Sequence, residues 1–207
     1  VPPERYDEVK YDLVRVNYNL DHDEWGELET VVSAEDTKMT CLLPRISPDG
    51  RWLLFCMCDY GSFPVYHESS DLYLIDLKAF DESGRAEPKR LLVNSDKSES
   101  WHSWSSNSRW IAFSSKRQSG VFTRSYISYV DPNGRAYKPL VLPQKDPTYY
   151  DCCLWTYSVP EFVTEPVRAT REKLARAIRS PEQRTVILPV TMATPKAEGA
   201  TPWQERE

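Results

Sequence analysis

Apolar and polar positions along this chain alternate in short runs, and one such run occurs twice. Ser47-Pro48-Asp49-Gly50-Arg51-Trp52-Leu53-Leu54-Phe55 returns as Ser105-Ser106-Asn107-Ser108-Arg109-Trp110-Ile111-Ala112-Phe113. Each copy is a polar tight turn followed by a strand-like run. A second pair follows the first, Asp71-Leu72-Tyr73-Leu74-Ile75-Asp76 and Tyr126-Ile127-Ser128-Tyr129-Val130-Asp131. A repeat of this size is one supersecondary unit that cannot bury its own faces, so it has to stack on neighbours.

Taken apart, each copy predicts four strands. Residues 44–46 and 102–104 lead into the turn. Asp49-Gly50 is a strong hairpin signal, and Asn107-Ser108 a weaker one because Ser tolerates a positive φ less well. The second strands run over 51–57 and 109–115, and long polar loops follow at 59–70 and 116–123. The third strands cover 72–77 and 126–130. Turns with glycine come next at 82–86 and 132–136, and the fourth strands are read at 89–93 and 138–142. Four antiparallel strands in ~45–60 residues is the period of a β-propeller blade.

The amino-terminal part fits only the second half of that template, with strands over 11–16 and 26–32 and an acidic loop at 19–25. The expected architecture is therefore all-β, a partial propeller of about two and a half four-stranded blades: a half blade 8–33, a blade 38–93 and a blade 101–143. A ring closes with typically 4–8 blades. The expectation is that these residues form the carboxy-terminal part of a longer propeller, with an open sheet edge and an open apolar face. Val1 would then be a processed end or the edge of a fragment. A free-standing two-sheet sandwich is the alternative. Residues 148–207 break the pattern with an aromatic stretch over 149–162 and a short helix over 170–179 that Pro181 stops. A final strand is read at 186–188, and an extended tail from Pro189 has too little apolar surface to fold alone.

These residues resemble the repeat of TolB-like, WD40-like bacterial propellers. The likeness rests on Ser47 through Phe55, on Asp71 through Asp76, and less closely on the copy at 104–113, where Ser106-Asn107-Ser108 replaces Pro-Asp-Gly. It covers roughly residues 10–145. It implies a periplasmic or envelope location and a role in protein–protein contact. Related propellers gate serine peptidases or accompany multihaem cytochromes, which makes the alternative function the propeller portion of an enzyme whose catalytic part lies outside this chain.

Composition removes several classes. With 26 basic against 31 acidic residues, the chain carries no electrostatic footprint for nucleic acid. No apolar run approaches the ~20 residues of a membrane helix, so no membrane insertion is expected. Neither Gly-x-Ser-x-Gly nor Cys-x-x-Cys-His nor a glycine-rich phosphate loop occurs, so no catalytic residue and no cofactor is assigned. The expected partners are other polypeptides that complete the propeller and cover the tail.

Five cysteines, Cys41, Cys56, Cys58, Cys152 and Cys153, are an odd number for a disulfide framework. Cys152 and Cys153 are neighbours, where a bridge is strained. Cys56, Cys58 and His67 are the least poor metal set, but strand alternation puts both cysteines on one face, where they pack as small core groups. The acidic turn 21–24 lacks the ligand pattern of a calcium loop. Trp52 and Trp110 occupy equivalent positions and are expected between blades.

Blade topology gathers the loops 59–70, 94–101 and 116–123 at one end. The candidate recognition face there is Tyr66, His67, Glu68, Lys97, Glu99, Trp101, His102, Lys116 and Arg117, aromatic and charged with both signs. Trp101 and His102 are expected at the ring mouth, and Trp101 with Tyr66 suits a carbohydrate- or peptide-binding variant of the same face.

Overall fold

The computed structural model describes residues 3–180. The readings at 186–188 and beyond lie outside them. A 3-10 turn at Pro3–Glu8 precedes β1 (Leu13–Asn19) and β2 (Glu24–Val32), which form a two-stranded hairpin sheet. A short helix α1 (Ala34–Thr37) leads into the central sheet of β3 (Thr40–Ile46), β4 (Trp52–Cys58), β5 (Asp71–Asp76) and β6 (Lys89–Arg90). The third sheet is β7 (Glu99–Trp104), β8 (Trp110–Ser115), β9 (Arg124–Tyr129) and β10 (Leu140–Val141). Both four-stranded sheets are antiparallel meanders with the strands in chain order.

The duplicated turns form by the same set of bonds. Ser47 Oγ donates to Asp49 Oδ1 at 2.6 Å and accepts from Trp52 N at 2.9 Å. Ser105 Oγ donates to Asn107 Oδ1 at 2.7 Å and accepts from Trp110 N at 3.0 Å. Gly50 takes the left-handed φ of +76° that the first turn needs, and Ser108 takes +57° in the second. A non-glycine residue there costs ~1–2 kcal/mol. Ser108 returns part of it, because its hydroxyl accepts from Asp49 N at 3.0 Å and ties the two turns together.

β4 explains the stacking. All seven of its residues are buried, so its run is covered on both faces. Trp52, Leu54 and Cys56 join Leu72 and Leu74 of β5 against Ile111, Phe113, Tyr126 and Val130 of the third sheet. Leu53, Phe55 and Met57 join Ile75 against Leu13, Val31 and Val32 of the hairpin sheet. Trp52 lies between the two larger sheets, and its ring sits where a Cβ on Gly134 would fall 2.5 Å away. Trp110 does not share that place. It is 40% exposed and packs edge-on against Tyr129.

Several local readings need correction. The glycine turn read at 82–86 is the end of a helix, α2 (Leu77–Ser83). Asp76 caps it by accepting from Lys78 N and Ala79 N, Leu77 and Phe80 are buried one turn apart, and Gly84 closes it at φ +66°. The first strands are longer than read, and the fourth strands shorter. After β6, the Asn94 side chain replaces a strand: its Oδ1 accepts from Leu72 N at 2.8 Å and its Nδ2 donates to Leu72 O at 2.9 Å. A further short helix, α3 (Tyr149–Cys152), lies in the aromatic stretch.

Internal contacts divide the chain at Pro166. In the second unit, α4 (Arg171–Arg179) agrees with the sequence reading, and Thr170 Oγ1 caps it by accepting from Lys173 N.

Candidate binding surfaces

The nine residues read as one recognition face divide in two. Tyr66 is exposed on the 3-10 turn Pro64–Tyr66, and the Lys116 ammonium lies 5.3 Å from its ring centre. Lys97 Nζ donates to Glu68 Oε1 at 2.7 Å, and His67 stacks edge-on against Tyr60. Ser98 Oγ donates to Pro64 O at 3.1 Å. These bonds bring the three loops together.

Glu99 and His102 do not belong to that face, because both side chains are buried within β7. Glu99 Oε1 accepts from Ser95 Oγ at 2.7 Å, Ser115 Oγ at 2.6 Å and Arg117 Nη2 at 3.0 Å, and its Oε2 accepts from Ser95 N at 2.9 Å. Arg117 also donates to Val93 O at 2.6 Å and lies 4.5 Å from the Tyr126 ring centre. A carboxylate with four donors and a guanidinium stacked on an aromatic ring are structural, and Arg117 is committed to them rather than to a ligand. His102 donates from Nε2 to Leu54 O at 3.1 Å, and its Nδ1 lies 3.6 Å from Cys56 Sγ. Burial pushes this imidazole down to about 4, outweighing the pull of its carbonyl partner. It is neutral at pH 7.

Trp101 is half-buried and holds a positive φ of 46°. Leu43, the equivalent residue of β3, has φ +56°. Each sits in a register shift, between Leu42 and Arg45 in one sheet and between Ser100 and Ser103 in the other. The two first strands thus carry the same bulge, which re-aims one large apolar side chain in each copy.

The metal reading of Cys56, Cys58 and His67 fails on placement. Cys56 Sγ points to Glu99 O and His102, Cys58 Sγ to Tyr60 O, and His67 to the Tyr60 ring. Among the described residues no group of three or more His, Cys, Asp or Glu is arranged to hold a metal ion. Burial raises the Cys56 thiol, takes Cys41 up to about 12 and takes Cys58 up to about 11. All five cysteines are free.

Two outer faces remain, one on each side of the stack. On the hairpin sheet, Val14 pairs with Thr30, Val16 with Leu28 and Tyr18 with Trp25. The Tyr18 and Trp25 rings are 4.5 Å apart. All of these apolar side chains are exposed, Trp25 by 69% and Leu28 by 74%. The opposite side of the hairpin is turned to the rest of the molecule. There Arg15 donates to Glu29 at 2.6 Å and to Asp81 of α2 at 2.7 Å, and lies 4.5 Å from the Phe80 ring centre.

The third sheet carries hydroxyls where the hairpin carries hydrocarbon. Ser103 Oγ donates to Pro160 O and Ser114 Oγ to Ser158 O, both at 2.7 Å. Thr123 Oγ1 donates to Tyr157 O, and Arg124 donates to Trp155 O and Cys153 O, both at 2.6 Å. The main chain of 153–160 is thereby strapped across that sheet, with the Leu154 and Trp155 side chains exposed. Nothing in the residue types announced this strap, because its acceptors are carbonyls that every residue has.

No helix among the described residues is long and apolar enough to cross a membrane. Neither a family model nor a curated protein matches this chain.

Proposed function

We propose that this chain is a non-enzymatic protein-binding or scaffold subunit that supplies blade-like sheets to a larger propeller, in a bacterial envelope complex. Its occupant at the hairpin sheet is another antiparallel β-sheet with an apolar face. One observation carries the reading. The central sheet is covered on both faces by sheets, whereas the outer face of the hairpin sheet presents Val14, Val16, Tyr18, Trp25 and Leu28 to water. A cluster of this kind on one face marks an interaction site.

Two further observations support it. The first strands of the two larger sheets lie beside one another, with Trp104 Nε1 donating to Arg45 O at 3.1 Å, as inner strands of neighbouring blades do. The rim of the open face is acidic, with Asp21, Asp23, Glu24 and Glu27, which favours a partner sheet with a basic border. The envelope location rests on the resemblance of the repeat alone.

A photo-crosslinker at Leu28, in cells that produce the protein, tests the reading. The expected product joins position 28 to a peptide of strand-and-turn character from another sheet. Crosslinking at position 28 no greater than at Glu82, on the exposed side of α2, contradicts it.

A further inference from the structure

One main-chain contact between neighbouring sheets occurs three times. Cys41 N, in β3, donates to Tyr11 O at 2.9 Å, and Glu99 N, in β7, donates to Ser70 O at 2.8 Å. Tyr157 N, in the strap, donates to Thr123 O at 3.3 Å. The three donors are evenly spaced along the chain, and the three acceptors lead into β1, β5 and β9. Two side-chain bonds repeat with it. Ser70 Oγ donates to Glu99 O at 2.7 Å, and Thr123 Oγ1 donates to Tyr157 O. Cys56 Sγ of β4 donates to Glu99 O, and Ser114 Oγ, at the equivalent register position of β8, donates to Ser158 O. The strap therefore stands to the third sheet as β7 stands to the central sheet and β3 to the hairpin. It occupies the place of a first strand.

β3 and β7 each have a second strand, β4 and β8, paired antiparallel along one edge. Among the described residues no strand pairs with 157–162. Val159, Phe162 and Val163 are exposed there. Pro160 stands where Pro44 does in β3, within the register shift that the ladder skips, so its missing N–H does not prevent pairing. Leu43 and Trp101 hold their positive φ inside a paired bulge, and Val159, at the same place in an unpaired segment, does not. We propose that 157–162 is the first strand of a fourth sheet and that its open edge is a docking site for an antiparallel strand of a partner polypeptide. The series also names the chemistry of that strand. β4 and β8 both follow a Ser-x-Asx turn, and both open with Trp, two apolar residues and Phe. Main-chain bonds supply the affinity in such an addition, and the apolar side chains supply the register. The proposal rests on the propeller reading but not on the hairpin face.

The test appends a copy of residues 105–115 to the full chain through a flexible glycine–serine linker, which makes docking intramolecular. Amide exchange over 157–163 is expected to slow by about tenfold or more relative to the unfused chain. A second fusion with the same residues in scrambled order should leave that exchange unchanged. In the native particle isolated from cells, 157–163 should likewise exchange more slowly than in the purified chain. Trp155 lies ahead of the paired stretch, as Met39 and Lys97 lie ahead of β3 and β7, and stays open to solvent. Unchanged exchange over 157–163 in the first fusion, equal slowing by the scrambled copy, or slowing confined to β1 overturns the proposal. Equal exchange in the native particle and the purified chain overturns it too. Crosslinking at Leu28 reads the hairpin face separately, so either docking site can fail without the other.

Discussion

The two outer faces of the sheet stack meet the same problem in opposite ways. The third sheet turns Ser103, Ser114 and the Thr123–Arg124 strand end outward, and the chain covers them with its own carbonyls from 153–160. The hairpin sheet turns out Val14, Val16, Tyr18, Trp25 and Leu28, and none of these is buried. Side-chain donors can be satisfied by any main chain that passes, so a strap without a sequence signature suffices. Hydrocarbon needs another apolar surface, and only packed side chains provide it. The polar face is finished within the chain, whereas the apolar face is left exposed among the described residues.

The largest expected effect on that contrast comes from the strap. Arg124→Ala removes its two charge-assisted bonds to the strap, a loss of roughly 3–6 kcal/mol at about 1.5–3 for each such bond. Chemical denaturation should read it as a lowered midpoint, with faster amide exchange across 153–160.

Acid should act next, between the central and third sheets. His102 titrates near 4 when folded and near 6.5 when unfolded, so the unfolded chain takes up the proton first. Stability is then fully present above about pH 6.5 and is lost progressively down to pH 4, by ~3 kcal/mol at about 1.4 per unit. His102→Gln should flatten stability measured over that window, at some cost at pH 7.

A smaller effect is expected at the third sheet's outer hydroxyls. Ser114→Ala leaves the Ser158 carbonyl without its donor and should cost about 1 kcal/mol. Leu28→Ser on the hairpin sheet should be the mildest, within about 0.5 kcal/mol for the chain by itself, because an exposed side chain has little packing to lose. An equal or larger loss at Leu28 in thermal unfolding would erase the difference between the faces.

The sequence disclosed what side chains encode directly. The Ser–Asx pairs at 47–49 and 105–107 build the turns their duplication predicts, and the apolar run 52–57 becomes the central strand. Thr170 begins the helix at 171–179. Other features were illegible for physical reasons. Glu99 and His102 look like surface residues until Ser95, Ser115 and Arg117 surround one and Leu54 accepts from the other. Gly84 reads equally as a turn or as a helix end, and only the burial of Leu77 and Phe80 decides. The amide of Asn94 imitates main chain, and the strap is held through main chain. The positive φ of Leu43 and Trp101 had no glycine to mark it. The gathering of the loops 59–70, 94–101 and 116–123 was legible, whereas the apolar face of the hairpin emerged only once its register was known.

Hydroxyl-radical footprinting of Trp25, with Trp155 as the internal reference, tests the docking claim most directly. Both indoles are about 70% exposed in the chain by itself, so both should label heavily when it is purified alone. In the native particle isolated from cells, Trp25 should be protected while Trp155 is labelled as before. Equal labelling of Trp25 in the two preparations would contradict a partner sheet on this face.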